Sequence, residues 1–303
     1  MIAIFGPTGV GKTAVAVALA GELAARGEHA VAVSVDALQA YAGLETLTGA
    51  PSAAERASLD HRLVATVPVT ETYSVGAFMP RAHAEIDAAL DAGRRPIVVG
   101  GTGLYLRAAL CDLDLRPCAP AEVRARIERD VAARGAPALH SELSQRAPQA
   151  AQAIEPGDRS RVVRALELLE VGALNEPAAG GQAAQSQLWT GELRRATLLV
   201  GLVMDRELLY ARIDARAEAI VAAGGRDEVL RAEAAGASRT ARKALGYEEL
   251  LAGDVEAMKR RTRRYAKRQL TWMRKLAGVR TVDVTGREPR AVAAELAQLL
   301  DPL

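Results

Sequence analysis

Residues 6–13 read Gly6-Pro7-Thr8-Gly9-Val10-Gly11-Lys12-Thr13, the G-x-x-x-x-G-K-[ST] spacing of a phosphate-binding loop. The glycines let backbone N–H groups converge on an anion, Lys12 supplies a mobile positive charge, and the Thr13 hydroxyl is a ligand for Mg²⁺. This spacing predicts that Gly6 through Thr13 hold a di- or triphosphate, with Mg²⁺ bound through Thr13. Three further segments place polar groups directly after an apolar run: Asp36 after Ala30–Val35, Gly100-Gly101-Thr102 after Ile97–Val99, and Asp205-Arg206 after Leu198–Met204. Residues 259–275 carry nine Lys or Arg and no Asp or Glu, a local density that suggests a polyanionic partner on a chain of net charge only +2.

The elements that position these groups follow from hydrophobic pattern. Ile2–Phe5 reads as a buried strand before the loop, and the Ala- and Leu-rich stretch from Ala14 reads as the helix after it. Ala30–Asp36, Arg95–Thr102 and Ala196–Met204 read as further strands, and a helix is expected from about Ser74 to Ala92. Alternating strands and helices build a parallel sheet, whose ligands sit beyond the carboxyl ends of the strands. The expected fold is therefore α/β, a P-loop NTPase-like parallel sheet core with a helical insertion domain. Residues 1–114 and 191–303 would form the discontinuous core, and 115–190 the insertion. Within it, Pro117 to Ala173 read as helices and Asn175 to Gln187 as a loop. The C-terminal remainder is expected to be helical, with Pro289 opening a last helix.

Composition narrows the class. The chain has 303 residues, which favours two lobes at about 150 residues per domain. It is 50% hydrophobic but only 3% aromatic, so Ala, Val and Leu dominate the core. No apolar run approaches the roughly 20 residues needed to span a bilayer, and the phosphate-loop strand starts at Met1 with no basic region before it. No membrane association and a cytoplasmic location are expected. Cys111 and Cys118 match no metal or redox motif, and the four histidines are scattered, so a His/Cys metal cage is not expected.

In order along the chain, these segments resemble the tRNA dimethylallyltransferases, also called tRNA isopentenyltransferases. The resemblance rests on the phosphate loop, Ser34-Val-Asp-Ala-Leu-Gln-Ala-Tyr, His61-Arg-Leu-Val, Tyr73-Ser, Val99-Gly-Gly-Thr-Gly-Leu-Tyr-Leu, Asp158 to Glu167, Leu245-Gly-Tyr and Arg263-Arg-Tyr-Ala-Lys-Arg-Gln-Leu-Thr-Trp. It implies transfer of a dimethylallyl group from dimethylallyl diphosphate to N6 of the adenosine at the 3′ side of the anticodon. The phosphate loop would then hold a diphosphate leaving group, Mg²⁺ would be the cofactor, and the tRNA anticodon stem-loop the macromolecular partner of a monomeric enzyme. By the same resemblance the catalytic set is Asp36 as base, Thr102 at the reaction centre and Arg206 on the diphosphate. The tRNA contacts would come from Asp36, Ala37, Leu38, Gln39, Thr102, Arg124, Ser160, Arg161, Val162, Val163, Arg164, Lys267 and Arg268.

The residues alone leave alternatives. Asp36 also reads as a carboxylate capping the next turn, or as a Mg²⁺ ligand reached through water. Met258, Tyr265, Gln269, Trp272 and Leu276 share helical spacing, so Tyr265 and Trp272 read as core at least as readily as base-stacking platforms. A prenyltransferase acting on free adenine nucleotides, a P-loop small-molecule kinase and an RNA-binding protein with a relic site are competing functions. The chain also departs from the family at Ala37, where Ser is common, and at Thr48-Gly49-Ala50-Pro51, where Thr-Ala-Lys-Pro is common.

Overall fold

The computed structural model describes residues 1–174 and 188–300; the loop expected at 175–187 lies outside the described residues. The chain forms two compact units, Met1–Asp112 with Leu188–Leu303, and Leu113–Gln187. The first unit opens with β1 (Ile2–Phe5), α1 (Lys12–Ala25), β2 (Ala30–Ser34), β3 (Tyr41–Ala42), α2 (Glu45–Thr48), α3 (Ala53–Ser58), β4 (His61–Arg62) and β5 (Val67–Pro68). It continues with α4 (Val75–Asp91), β6 (Arg95–Gly100) and α5 (Gly103–Leu110). After the second unit come β7 (Leu198–Val203), α10 (Arg206–Ala222), α11 (Gly225–Ala234), α12 (Tyr247–Leu251), α13 (Val255–Met273), β8 (Arg280–Asp283) and α14 (Pro289–Leu300).

Six strands make one sheet in the order β4-β2-β6-β1-β7-β8, and every pairing in it is parallel. Ile2 and Ile4 of β1 enter one core cluster with Leu19 and Leu23 of α1 and Val292 and Leu296 of α14. The alternate residues Ala3, Phe5, Val31, Val33 and Val98 are equally buried, so both faces of the sheet are covered. That double burial explains why the strands read as continuous apolar runs without alternation. β1 lies between β6 and β7, which brings the ends of three apolar segments side by side.

The α4 helix starts and stops where the sequence signals place it: the Ser74 hydroxyl accepts from the Ala77 N–H at 3.2 Å, and Ala92 ends it. One expectation is corrected. The C-terminal part is not wholly helical, because Arg280–Asp283 adds the edge strand β8 beside β7. Of its four residues only Val282 is buried, so β8 has little hydrophobic signature.

The second unit contains α6 (Ala121–Arg134), α7 (Ala136–Arg146), α8 (Pro148–Gln152) and α9 (Arg159–Glu170), and no strand among its described residues. Its core is Ile127, Val131, Leu139, Leu143, Val162, Val163 and Leu166. Glu167, fully buried, takes Arg124 at 3.3 Å and Arg164 at 3.2 Å. Taking a carboxylate out of water is costly, and these two ion pairs offset that cost.

Candidate active site

The phosphate loop leaves β1 and becomes the first turn of α1. Gly11 caps that helix at φ 99°, a left-handed conformation that costs a side-chain-bearing residue energy and costs glycine none. The amides of Gly9, Gly11, Lys12, Thr13 and Ala14 donate to no acceptor among the described residues. Three of them are orphan donors of a helix N-terminus, where an anion gains typically 0.3–1 kcal/mol from the dipole alone. Two amides within the loop are otherwise engaged: Val10 donates to the Pro7 carbonyl at 3.3 Å and Thr8 to Gln269 Oε1 at 2.8 Å. The Lys12 ammonium donates to the carbonyls of Gly6 and Pro7, both at 3.0 Å. Burial lowers its pKa to about 8, partly countered by Asp36 and reinforced by Arg216.

These groups line a cavity of about 380 Å³ that also takes in Ser34, Asp36, Gln39, Arg212, Arg216, Thr262, Tyr265 and Gln269. Its apolar side is Leu47, Ile213, Ala217, Ile220, Leu245 and Met258. Asp36 follows the last residue of β2 by two positions. Its Oδ1 accepts from the Leu38 N–H at 3.0 Å, so the turn-capping reading is correct for one oxygen. Oδ2 accepts no hydrogen bond among the described residues. Asp36 is close enough to Lys12, Arg216 and Tyr265 to perturb all three. Burial, then the Asp36 charge, pushes the Tyr265 phenol up to about 12, so it stays protonated as a donor.

The segment with the family departures forms the wall facing α10. Gly49 ends α2 at φ 57°, and the Arg216 guanidinium occupies the space where a Cβ would project. Arg216 Nη2 donates to the Thr48 carbonyl at 2.9 Å, and Gln39 Nε2 donates to the Gly49 carbonyl at 3.0 Å. The buried Glu228 carboxylate accepts from the amides of Thr46 and Leu47, at 2.9 and 2.8 Å, and so holds the start of α2.

The expected site residues divide accordingly. Thr8, Gly9, Gly11, Lys12, Thr13, Asp36, Leu38 and Gln39 line the cavity, whereas Gly6, Pro7 and Val10 are buried behind it and Ala37 stands outside its lining. Thr102 caps α5 and also lies outside the lining, its Oγ1 3.4 Å from the hydroxyl of Tyr265, which does line the cavity.

Arg206 stands outside the cavity lining. It sits exposed in the first turn of α10, whose cap Asp205 accepts from Glu207 and Leu208 N–H at 2.9 and 3.0 Å. The arginines that reach the cavity are Arg212 and Arg216, on the face with Ile213, Ala217 and Ile220. At 1.5 Å per residue, Arg206 stands about 10 Å back along the axis from Ile213. The signal overlooked in the sequence is the Arg-x-x-x-Arg spacing beside Ile213 and Ala217, which puts two cations on one helix face. Arg216→Ala is expected to weaken inorganic pyrophosphate binding by about tenfold or more, since hydrogen bonds to charged groups contribute about 1.5–3 kcal/mol. Arg206→Ala is expected to change it by less than about twofold, within the small effect of an exposed surface charge. Isothermal titration of both variants decides between the two positions.

Among the expected tRNA contacts, Val162 and Val163 are buried in the core of the insertion. Arg124 and Arg164 are committed to Glu167, and Arg164 also donates to the carbonyls of Arg116 and Pro117, both at 2.9 Å. Ser160 and Arg161 are exposed at the start of α9, and Lys267 and Arg268 are exposed on α13. The basic run of α13 is partly neutralised by acids from elsewhere in the chain. Lys259 pairs with Glu218 and Glu256, Arg260 with Asp254, Arg261 with Glu249, and Arg263 with Asp214. Arg264, Lys267, Arg268, Arg274 and Lys275 have no acidic partner among the described residues. On the other face of the run, Met258, Gln269 and Leu276 are buried, and Trp272 packs against Trp189 with ring centroids 4.7 Å apart.

Known proteins resemble this chain over most of its length. The IPP transferase family model matches residues 39–276, and the isopentenyl transferase model matches residues 1–74. A tRNA dimethylallyltransferase of Rhodospirillum centenum is 43% identical over 295 residues, covering 93% of this chain and 91% of the relative. One from Kineococcus radiotolerans is 40% identical, covering 99% and 96%. Among solved structures, the tRNA isopentenylpyrophosphate transferase of Bacillus halodurans superimposes with a TM-score of 0.69 at 32% identity, covering 99% of this chain and 95% of that one.

Proposed function

Since the chain belongs to the tRNA dimethylallyltransferase family, we propose that it moves a dimethylallyl group from dimethylallyl diphosphate to N6 of the adenosine 3′ to the anticodon in tRNA, releasing diphosphate. The observation that carries this reading is the pairing, within one cavity, of a cationic anion cradle with a carboxylate that has one oxygen unengaged. The N6 lone pair forms the new bond to the allylic carbon as the C–O bond breaks and its electron pair leaves on the diphosphate. The N6 proton passes to Asp36 Oδ2, which offsets the poor nucleophilicity of an amine conjugated with the purine. Charge accumulating on the diphosphate meets the free loop amides, Lys12 and the arginine forks of Arg212 and Arg216. The apolar side of the cavity takes the isoprenoid chain and keeps water from the allylic carbon.

Mg²⁺ fits the donor set. No group of three His, Cys, Asp or Glu among the described residues forms an all-protein cage, whereas the Thr13 hydroxyl lines the cavity where the diphosphate oxygens would lie. Mg²⁺ commonly binds through one or two protein oxygens, substrate phosphates and water. Thr13 would hold the ion, which when bound supplies further neutralisation of the leaving group. The adenine must leave the anticodon-loop stack to reach Asp36. Ser160 and Arg161 on α9, with Arg264, Lys267 and Arg268 on α13 and Arg274 and Lys275 just after it, are the groups proposed to hold the displaced RNA backbone, with Thr102 and Tyr265 beside the extruded nucleotide. No described helix is long and apolar enough to cross a membrane, and a cytoplasmic monomer is the proposed working form.

The test is a paired assay in which purified protein receives dimethylallyl diphosphate with either unmodified tRNA or AMP. N6-alkylated nucleoside from the tRNA, with little from AMP, is the expected result by mass spectrometry. Alkylation of AMP alone would make the chain a nucleotide prenyltransferase, and ATP turnover without allylic donor would make it a kinase.

A further inference from the structure

Gln269 is the one long polar side chain on the buried face of α13, and both ends of its amide are used. Oε1 accepts from the Thr8 N–H and Nε2 donates to the Gly101 carbonyl, both at 2.8 Å. Thr8 belongs to the phosphate loop and Gly101 to the turn after β6. The two turns close on one another through this side chain from 168 and more residues away.

The Thr8 contact has a geometric consequence. In a trans peptide the N–H and the preceding C=O point in opposite directions within one plane. The plane holding the Thr8 N–H also carries the Pro7 carbonyl, which accepts from Lys12 Nζ at 3.0 Å on its other side. Gln269 thus pins one edge of a peptide whose opposite edge orients the lysine of the anion cradle. Without Gln269, the Thr8 N–H would lose its acceptor at a part-buried position. The plane would then be held on its carbonyl edge only, by the Val10 N–H at 3.3 Å and by Lys12 itself, and would turn more easily, loosening one of the lysine's two carbonyl anchors. A merely space-filling residue at 269 would need neither amide atom.

We infer that Gln269 is a positioning residue for the diphosphate cradle, acting through the Pro7–Thr8 peptide on Lys12. This rests on the reading of the cavity as a diphosphate site, which pyrophosphate binding by the unaltered chain tests by itself. Gln269→Met keeps length and removes both hydrogen bonds. Gly101→Ala displaces the same amide differently, since the new methyl group occupies the place of the Gln269 amide nitrogen and must push it aside, while also meeting the Gly6 carbonyl oxygen at 3.0 Å.

Each variant is compared with the unaltered protein in inorganic pyrophosphate titration and in steady-state assays that vary dimethylallyl diphosphate and tRNA separately. The expected result is a rise of about tenfold in pyrophosphate Kd and in KM for dimethylallyl diphosphate, the size of one lost hydrogen bond to a charged group. KM for tRNA should stay within about twofold, the effect of substitutions outside the RNA contacts. The double variant should fall well short of the product of the two single effects, because both remove the Gln269 contact and only Gly101→Ala also crowds the Gly6 carbonyl. A general loss of folded protein would lower kcat for both substrates and leave each KM in place, so that pattern overturns the inference. So does unchanged pyrophosphate affinity in either variant that retains the wild-type melting temperature. Should Gln269→Met fail to fold, Gly101→Ala carries the same comparison.

Discussion

Replacing Asp36 by Asn is expected to lower kcat for tRNA alkylation by about 10²–10⁴-fold, the contribution of a positioned general base. Asn suits the test because its side-chain oxygen still accepts the Leu38 N–H that Asp36 Oδ1 accepts at 3.0 Å, so the turn after β2 is preserved. What is lost is the second, unengaged oxygen and the negative charge. KM for dimethylallyl diphosphate should change far less than kcat, and single-turnover kinetics should place the defect in the chemical step. The charge has a second effect. Asp36 raises the Lys12 pKa against the larger lowering by burial, so Asp36→Asn moves the Lys12 titration to lower pH. A variant with wild-type kcat would remove Asp36 from the role of base.

Lys12→Met is expected to reduce kcat/KM for dimethylallyl diphosphate by about 10²–10³-fold, comparable to losing a donor aimed at developing negative charge. The size follows from the low polarity of the cavity, where a charge is less screened than at the surface. A pH dependence accompanies it. The ammonium form binds the anion, and with a pKa of about 8 this form is complete well below that pH and disappears as pH rises through it. Pyrophosphate affinity of the unaltered protein should therefore fall above pH 8 with a one-proton slope. Lys12→Met should be weak and should keep only the dependence that ionisation of pyrophosphate itself gives in this range. A fall of the same size in Lys12→Met would assign the titration to another group or to the ligand.

How much of this was legible in the sequence depends on how far apart the partners lie. Gly6 to Thr13 were legible because a strand, a glycine turn and a helix start are set by neighbouring dihedral angles, and the anion cradle is closed within eight residues. Asp36 was legible for a related reason. A carboxylate after a buried parallel strand falls at the sheet end where ligands collect, whatever packs around it. The helical insertion could also be read, since its apolar spacing is local, and β8 could not, since a four-residue edge strand with one buried side chain has no periodicity to find.

The choice among arginines, by contrast, belongs to tertiary structure. Arg206 and Arg216 lie on one helix and differ in distance along its axis, and only the docking of α10 against the phosphate loop determines which turn faces the cavity. The same holds for the basic run. Its nine cations met no acid in sequence, yet Lys259, Arg260, Arg261 and Arg263 find carboxylates on α10, on α12 and at the start of α13 itself. Gln269 is the extreme case: its type and helical spacing were visible, but its partners lie 261 and 168 residues away. The chain by itself determined which chemistry is available, because reactive groups and the turns that expose them are local. Folding decided which of the equivalent charges and amides take part, because long-range packing sets distances that no spacing along the chain encodes.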